Sequence, residues 1–312
     1  MGLRIINQMG PGAAAQINAA YPDVEIIDFA AGDPPAGLAA DVFFGGYFAW
    51  EDIERWVDAA GVRWVQTSGT GVDKVPRSIY EGRIVTCARG ASAVPISEWV
   101  MAAVLAWTKR MPQTWLHAPP RHWNFPWPAL DSVSGSTIAL VGLGGIGSAI
   151  ARRALAFDMR VNALRRTDAP SPVDGVEVVR SMADLVCDAD HLVLAAPATA
   201  KTQHLIDAEV LRQVKPGVHL VNIARGALVD QDALRVALDD DRVAMATLDT
   251  VDPEPLPAGH WLYEHPKVRL SAHVSWYEPE LQQAAMAIFV DNIGRFNRGE
   301  DLREVVDPDE GY

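Results

Sequence analysis

Basic residues are scarce in this 312-residue sequence: 27 lysines and arginines stand against 40 aspartates and glutamates, a formal net charge of −13. Such a field repels phosphate backbones and anionic headgroups, so neither nucleic acid nor a membrane surface is expected as a partner. Cysteine is nearly missing. Cys87 and Cys187 are the only two. Both sit in apolar, strand-like or helix-end contexts without metal-ligand spacing, so they are expected as reduced core residues rather than a disulfide, with no metal site. The expected compartment is the cytoplasm. The first six residues carry one charged side chain and no basic-then-apolar order, which does not read as a secretory leader. Long apolar runs are lacking as well. Residues 132–151 hold no charge over a span-like length, but five glycines and four serines interrupt them.

What is present is ordinary globular material, 49% hydrophobic and 21% charged. A chain this long is expected to form two domains. In the first hundred residues, strand-like runs at 4–8, 24–28, 42–44, 63–67 and 84–87 alternate with helical stretches such as 13–20 and 50–60. That rhythm predicts a parallel sheet covered on both faces. A helix is expected over 95–111, apolar nearly all round from Trp99 to Trp107 and therefore buried. Residues 116–130 hold four prolines and two of the ten tryptophans. They read as an irregular arm that packs against something, a partner subunit being one candidate. From Thr137 a second alternation begins, with strands at 137–141, 160–164, 191–195, 218–223, 245–249 and 268–271, as in a doubly wound dinucleotide fold. A helix over 280–298 is expected to return to the first domain. The acidic stretch 300–312 reads as a solvated tail.

The strand at 137–141 runs directly into Gly142-Leu143-Gly144-Gly145-Ile146-Gly147. A GxGxxG pattern alone is weak, but after a strand and before a helix it reads as a pyrophosphate loop. Gly142 permits the turn, Gly144 lets the backbone approach the phosphates, and Gly147 with Ala151 allows close helix–strand packing; Gly145 and Ile146 complete the loop. The plain alternative is a glycine-rich turn with no ligand. At the end of the next strand, where an acidic residue would favour NADH, the chain has Arg165-Arg166-Thr167. Two guanidiniums and a hydroxyl suit a 2′-phosphate, so NADP(H) is expected over NAD(H), the latter staying open. The alternative is that the arginines only solvate a loop or stack on adenine.

Three later strand ends carry candidate chemistry: Asn222-Ile-Ala-Arg225-Gly226, Asp249-Thr-Val-Asp-Pro-Glu254-Pro, and Ser271-Ala-His273-Val-Ser-Trp276. Ligands of open parallel sheets bind at these ends. Singly, each has a plain reading: a capping Arg, a surface Glu, a hydrogen-bonded core His.

With these motifs, and with Ala196-Pro197-Ala-Thr199 followed by Thr202 and Lys215-Pro-Gly217 leading into the A-R-G element, nearly the whole chain resembles the D-isomer-specific 2-hydroxyacid dehydrogenases, most of all their glyoxylate and hydroxypyruvate reductase branch. The resemblance implies an α/β fold of two doubly wound parallel-sheet domains. A Rossmann-type cofactor domain (97–276) would be inserted in a flavodoxin-like substrate domain (1–96 and 277–312). It implies Arg225, Glu254 and His273 as catalytic residues, and Pro197, Thr202, Ala224 and Asp249 as further cofactor contacts. Ser68, Gly69, Thr70 and Gly71 would hold the substrate carboxylate. The substrate would be a small anionic 2-keto or 2-hydroxy acid, and the assembly a homodimer. Chemistry agrees: a hydride arriving at a keto carbon builds charge on oxygen, which needs a proton donor and a cation. Tyr47 and Trp276 are candidates for sizing the pocket, and Trp123 or Trp127 of a partner could reach it. The chain departs from the family in having Ala272 where proline usually precedes the histidine, and Thr250-Val251 after Asp249 where Val-Phe is common. The rival expectation is a dinucleotide-sensing or corepressor-like protein with little turnover, against which the Arg–Glu–His set speaks.

Overall fold

The computed structural model describes residues 2–46, 49–123, 129–167, 169–278 and 281–311. The chain divides into two compact units, Met1–Ser92 with Glu278–Tyr312, and Ala93–Tyr277.

The first unit holds β1 (Arg4–Asn7), β2 (Glu25–Asp28), β3 (Val42–Gly45), β4 (Trp64–Thr67) and β5 (Ile84–Thr86), with helices α1 (Pro11–Ala20), α2 (Trp50–Ala60) and α3 (Arg77–Tyr80). The strands pair in parallel in the order β2-β1-β3-β4-β5, the flavodoxin-like arrangement. Alternate residues feed opposite faces, as the pleat requires. Ile6, Phe43 and Val65 pack with Ile53, Trp56 and Val57 of α2. Ile5, Phe44 and Trp64 pack with Ile17 of α1 and with Phe289 and Ile293 of the C-terminal helix, Leu281–Arg298. Phe289 stacks on Phe44 at 4.1 Å between ring centroids. The returning helix expected from its 3.6-residue period therefore forms part of this core.

The end of the chain corrects the expectation of a solvated tail. Val306 is 4% exposed, its N–H donates to the Val85 carbonyl, and Cys87 N–H donates to the Glu304 carbonyl. Thr86 and Val305 form an antiparallel bridge, so the tail covers the β5 edge. Leu302 and Val306 sit between the acids and fill apolar space, which the charge count concealed.

The second unit opens with α4 (Ala93–Thr108) and continues with β6 (Thr137–Val141), α5 (Gly145–Ala156), β7 (Arg160–Leu164), β8 (Val176–Val179), α6 (Met182–Val186), β9 (His191–Leu194), α7 (Ala208–Gln213), β10 (Val218–Asn222), α8 (Gln231–Asp239), β11 (Val243–Leu248), α9 (Trp261–Glu264) and β12 (Val268–Leu270). Its seven strands run parallel in the order β12-β11-β10-β9-β6-β7-β8. The order reverses between β6 and β9, which is the switch point of a dinucleotide fold. Ile138, Leu140, Val193 and Val221 pack on the α4–α5 face, and Ala139, Val141, Leu192 and Leu220 on the other.

The sequence showed six of these strands. β8 was missed because, as an edge strand, it is only partly buried and carries no apolar run. α4 is not buried all round within its unit: Pro95, Ile96, Val100, Met101 and Val104 are buried, while Val94 and Ala102 are exposed. Cys87 is buried and free, but Cys187 is exposed at the end of α6 and is not a core residue. The arm after α4 leaves Met111, Trp115, Leu116, Trp123 and Leu130 exposed. Trp127 lies outside the described residues. Among the described residues no helix is long and apolar enough to cross a membrane.

Candidate active site

The loop after β6 is shaped by what its glycines exclude. Gly142 sits at φ +104°, and a Cβ there would come within 2.8 Å of the Ala195 carbonyl oxygen. A Cβ on Gly147 would lie 2.2 Å from the Gly142 oxygen. No side chain fits at either place without opening the turn. Gly144, exposed at the N-cap of α5, has nothing within 4 Å of its Cβ direction. The loop is thus closed tight on its protein side and open where a ligand would approach, beside the unpaired N–H groups that begin α5. This fits a dinucleotide pyrophosphate. Gly145 is exposed and Ile146 half-buried beside it.

At the end of β7, Arg165 Nη1 donates to the carbonyls of Ala169 (3.1 Å) and Pro170 (2.7 Å), so this guanidinium braces its own loop. Arg166 and Thr167 are exposed. After β9, Thr202 Oγ1 donates to the Pro197 carbonyl at 2.8 Å and accepts from Thr199 N–H at 2.8 Å, which closes the 197–202 turn.

Arg225 follows β10 in extended backbone (φ −145°). Asn222 clamps the turn: its side-chain oxygen accepts from Ala224 N–H at 3.0 Å and its amide donates to the Arg225 carbonyl at 2.9 Å. The buried Ala224 lends its carbonyl to Arg225 Nη1 at 2.8 Å. Gly226 is required because a Cβ would fall 1.9 Å from the Val251 carbonyl carbon. That contact sets the β10 loop directly against the β11 loop.

On the β11 loop, Glu254 Oε1 accepts from Val251 N–H at 3.1 Å, and Oε2 lies 3.0 Å from His273 Nδ1. Burial works against the carboxylate charge. The His273 hydrogen bond, the Val251 N–H and the nearby His273 and Arg225 charges outweigh it and hold the Glu254 pKa below the usual range. His273 is 36% exposed and Glu254 30%, so the imidazole is partnered yet open on its other side.

Asp249 is 1% exposed and organises the histidine loop. Its oxygens accept from Ser271 Oγ, from Val274 N–H at 2.9 Å and from Ser275 N–H at 3.0 Å, and its carbonyl accepts from His273 N–H at 2.9 Å. The structure gives this residue a supporting role that the sequence reading, which assigned it to the cofactor, did not anticipate. Asn222 and Ser271 were likewise passed over. The available signal was positional: short polar side chains at strand ends tie down the turns that follow.

In the first unit, Ser68 is buried, with N–H donating to the Gly45 carbonyl at 2.9 Å. Ala88 N–H donates to the Gly69 carbonyl and Thr70 Oγ1 to the Ala88 carbonyl, fixing the 68–71 loop at the β4 end, with Gly71 exposed. Tyr47 lies outside the described residues. Among the described residues no cluster of metal-ligating side chains occurs.

The family model "D-isomer specific 2-hydroxyacid dehydrogenase, NAD binding domain" matches residues 101–275. A glyoxylate reductase of Thermofilum pendens is 31% identical over 258 residues, covering 80% of this chain and 76% of that protein. Among solved structures, a D-isomer specific 2-hydroxyacid dehydrogenase of Xanthobacter autotrophicus, in complex with NADPH, superposes with a TM-score of 0.82 at 24% identity, over 100% of this chain and 99% of that one. An NADPH-dependent glyoxylate/hydroxypyruvate reductase of Sinorhizobium meliloti, in complex with NADP, gives 0.83 at 21% identity over 100% of both chains.

Proposed function

Because the chain belongs to the D-isomer-specific 2-hydroxyacid dehydrogenase family, we propose that this oxidoreductase reduces a small 2-keto acid of the glyoxylate or hydroxypyruvate kind to the D-2-hydroxy acid, using NADPH in preference to NADH. The observation that carries the reading is the 3.0 Å contact of Glu254 with His273 Nδ1, beside the Arg225 charge.

The cofactor, when bound, supplies the hydride. The chain's own groups handle charge and protons. With Nδ1 directed to Glu254, the imidazolium presents Nε2–H to the substrate oxygen and gives it a proton. Glu254 stabilises the charged ring and keeps it oriented. Arg225 holds the carboxylate and carbonyl oxygens in one fork. In the first unit, the backbone N–H groups of Gly69, Thr70 and Gly71 are the candidates for holding a carboxylate, since Ser68 N–H is already given to the Gly45 carbonyl. In the second unit Trp276 is the candidate for sizing the substrate, and Tyr47 lies outside the described residues. Gly142, Gly144, Gly145, Ile146 and Gly147 receive the pyrophosphate, with Pro197, Thr202 and Ala224 lining the remainder, while Asp249 supports the histidine loop from within. Arg166 and Thr167 take the 2′-phosphate while Arg165 braces the loop. The names of the Thermofilum relative and of the NADP-bound structures support substrate class and cofactor.

The reading includes a homodimer, for which the exposed Met111, Trp115, Leu116, Trp123 and Leu130 are the candidate contact residues. It includes a cytoplasmic setting, where the free thiols stay reduced. The test is NADPH absorbance followed against a panel of 2-keto acids, repeated with NADH. Turnover of glyoxylate or hydroxypyruvate is expected, with the lower KM for NADPH. A flat trace for every acid with tight cofactor binding would favour a dinucleotide sensor instead.

A further inference from the structure

We propose that Trp276 is a positioning residue for His273, its indole N–H fixing the left-handed turn that presents the imidazole to Glu254. The proposal rests on the acid role given to His273 above.

His273 adopts φ +53°. For a residue with a Cβ this conformation is strained, and it persists only where the surroundings over-determine it. Both peptide groups that flank the residue are pinned. The preceding one is held by His273 N–H on the Asp249 carbonyl at 2.9 Å. The following one is held at both ends: Val274 N–H donates to Asp249 Oδ1 at 2.9 Å, and the His273 carbonyl accepts from Trp276 Nε1 at 2.7 Å. The indole is the part of this clamp that comes from the far side of the turn. It is itself held, partly buried against the core that includes Ile138, Val193 and Val221. A phenylalanine could occupy the same space but has no hydrogen to donate.

The local sequence makes the clamp necessary. Position 272 is alanine, where the family usually has proline, so no ring restrains the approach to His273. Ser271 and Asp249 steady the entry, and the indole steadies the exit. With that exit free, the imidazole is free to turn away from Glu254 and from the direction in which it is held for proton transfer. Trp276 therefore acts on the proton donor, in addition to any contact it makes with substrate.

The experiment compares kcat, the KM for keto acid and the Kd for NADPH in wild-type enzyme, Trp276→Phe, Trp276→Phe/Ala272→Pro and His273→Ala. In W276F kcat is expected to fall about tenfold, with the KM for keto acid and the Kd for NADPH little changed. Adding A272P is expected to restore most of it. A W276F enzyme whose KM rises while its kcat stays in place overturns the proposal and leaves Trp276 a pocket wall. H273A separates the two readings. Activity surviving that change overturns the acid role itself, whereas activity lost in H273A with an unchanged kcat in W276F overturns only the Trp276 assignment. A second readout needs neither cofactor nor a folded W276F. In protein labelled with 15N-tryptophan, one indole N–H signal is expected to move in His273→Asn while the others stay in place. Absence of any such signal also overturns the proposal.

Discussion

Glu254 is the residue that His273 Nδ1 meets, at 3.0 Å. Its carboxylate is partly buried, which alone would raise its pKa, yet the His273 contact and the Val251 N–H hold it ionised. Glu254→Gln keeps the shape and removes the charge that faces the imidazole, so kcat for keto acid reduction is expected to fall by about ten- to a hundredfold with the Kd for NADPH little changed. Steady-state kinetics beside a fluorescence titration check this, and an unchanged kcat would leave Glu254 without a part in the chemistry. Thr250 offers a simpler case. It is 1% exposed, and among the described residues its hydroxyl finds no hydrogen-bond partner. Thr250→Val replaces that orphaned group with an isosteric methyl and is expected to stabilise the protein by about 1 kcal/mol, read as a raised urea midpoint. Residues of this kind divide by how much of their role is local. Arg225, Glu254 and His273 stood out in the sequence as candidates because each lies in the loop after a strand and carries a distinctive group. The supporting role of Asp249 did not, because its hydrogen bonds run to residues more than twenty positions away that only the fold brings near.

Elements were legible where their apolar pattern is continuous and illegible where packing is one-sided. β6 and its glycine loop announced themselves by a five-residue buried strand running into the loop. β8 and the 300–311 segment did not, since β8 is only partly buried at a sheet edge and the segment buries only Leu302 and Val306. The loop's geometry leads to a prediction at this scale. Gly147 and Gly142 are in such close contact that a methyl at 147 pushes on backbone, which cannot move aside as a flexible side chain could. Gly147→Ala must therefore displace the start of α5 from the turn that faces the phosphates. An increase of at least about tenfold in the Kd for NADPH is expected, equivalent to roughly 1.4 kcal/mol, measured by fluorescence titration. The side chains of Glu254 and His273 lie on other loops, so at saturating NADPH kcat should fall much less than affinity does. A glycine at 147 that served no ligand would give a variant with unchanged Kd.

At the scale of the whole molecule, folding stability near neutral pH depends on a buried histidine pair in the second unit's sheet. His191 and His219 meet through their Nδ1 atoms at 3.2 Å inside the second unit's sheet, and His219 Nε2 lies 2.8 Å from Thr247 Oγ1. Both rings are almost wholly buried, at 4% and 0% exposure. Burial lowers the His191 pKa from 6.5 to about 4, against a smaller opposing pull from Asp190, and drives that of His219 well down, with the neighbouring ring adding to the effect. Folded protein thus keeps the pair neutral while the unfolded chain takes up protons below about pH 6.5. Where the unfolded state binds more protons, stability rises with pH, so this contribution is complete above pH 6.5 and is lost as pH falls toward 4. For His191 alone the shift corresponds to about 3 kcal/mol over that interval. The depressed carboxylates Glu254 and Asp190 act in a lower window, since their stabilisation fades only below the ordinary carboxylate range. Between pH 6.5 and 5 the histidines should therefore dominate. Replacing the whole polar trio, as in H191L/H219L/T247V, leaves no buried partner orphaned. Denaturant melts of this variant across pH 7.5 to 5 are expected to show a much flatter acid side than wild type. Parallel slopes in the two proteins would mean that the pair already titrates normally in the fold.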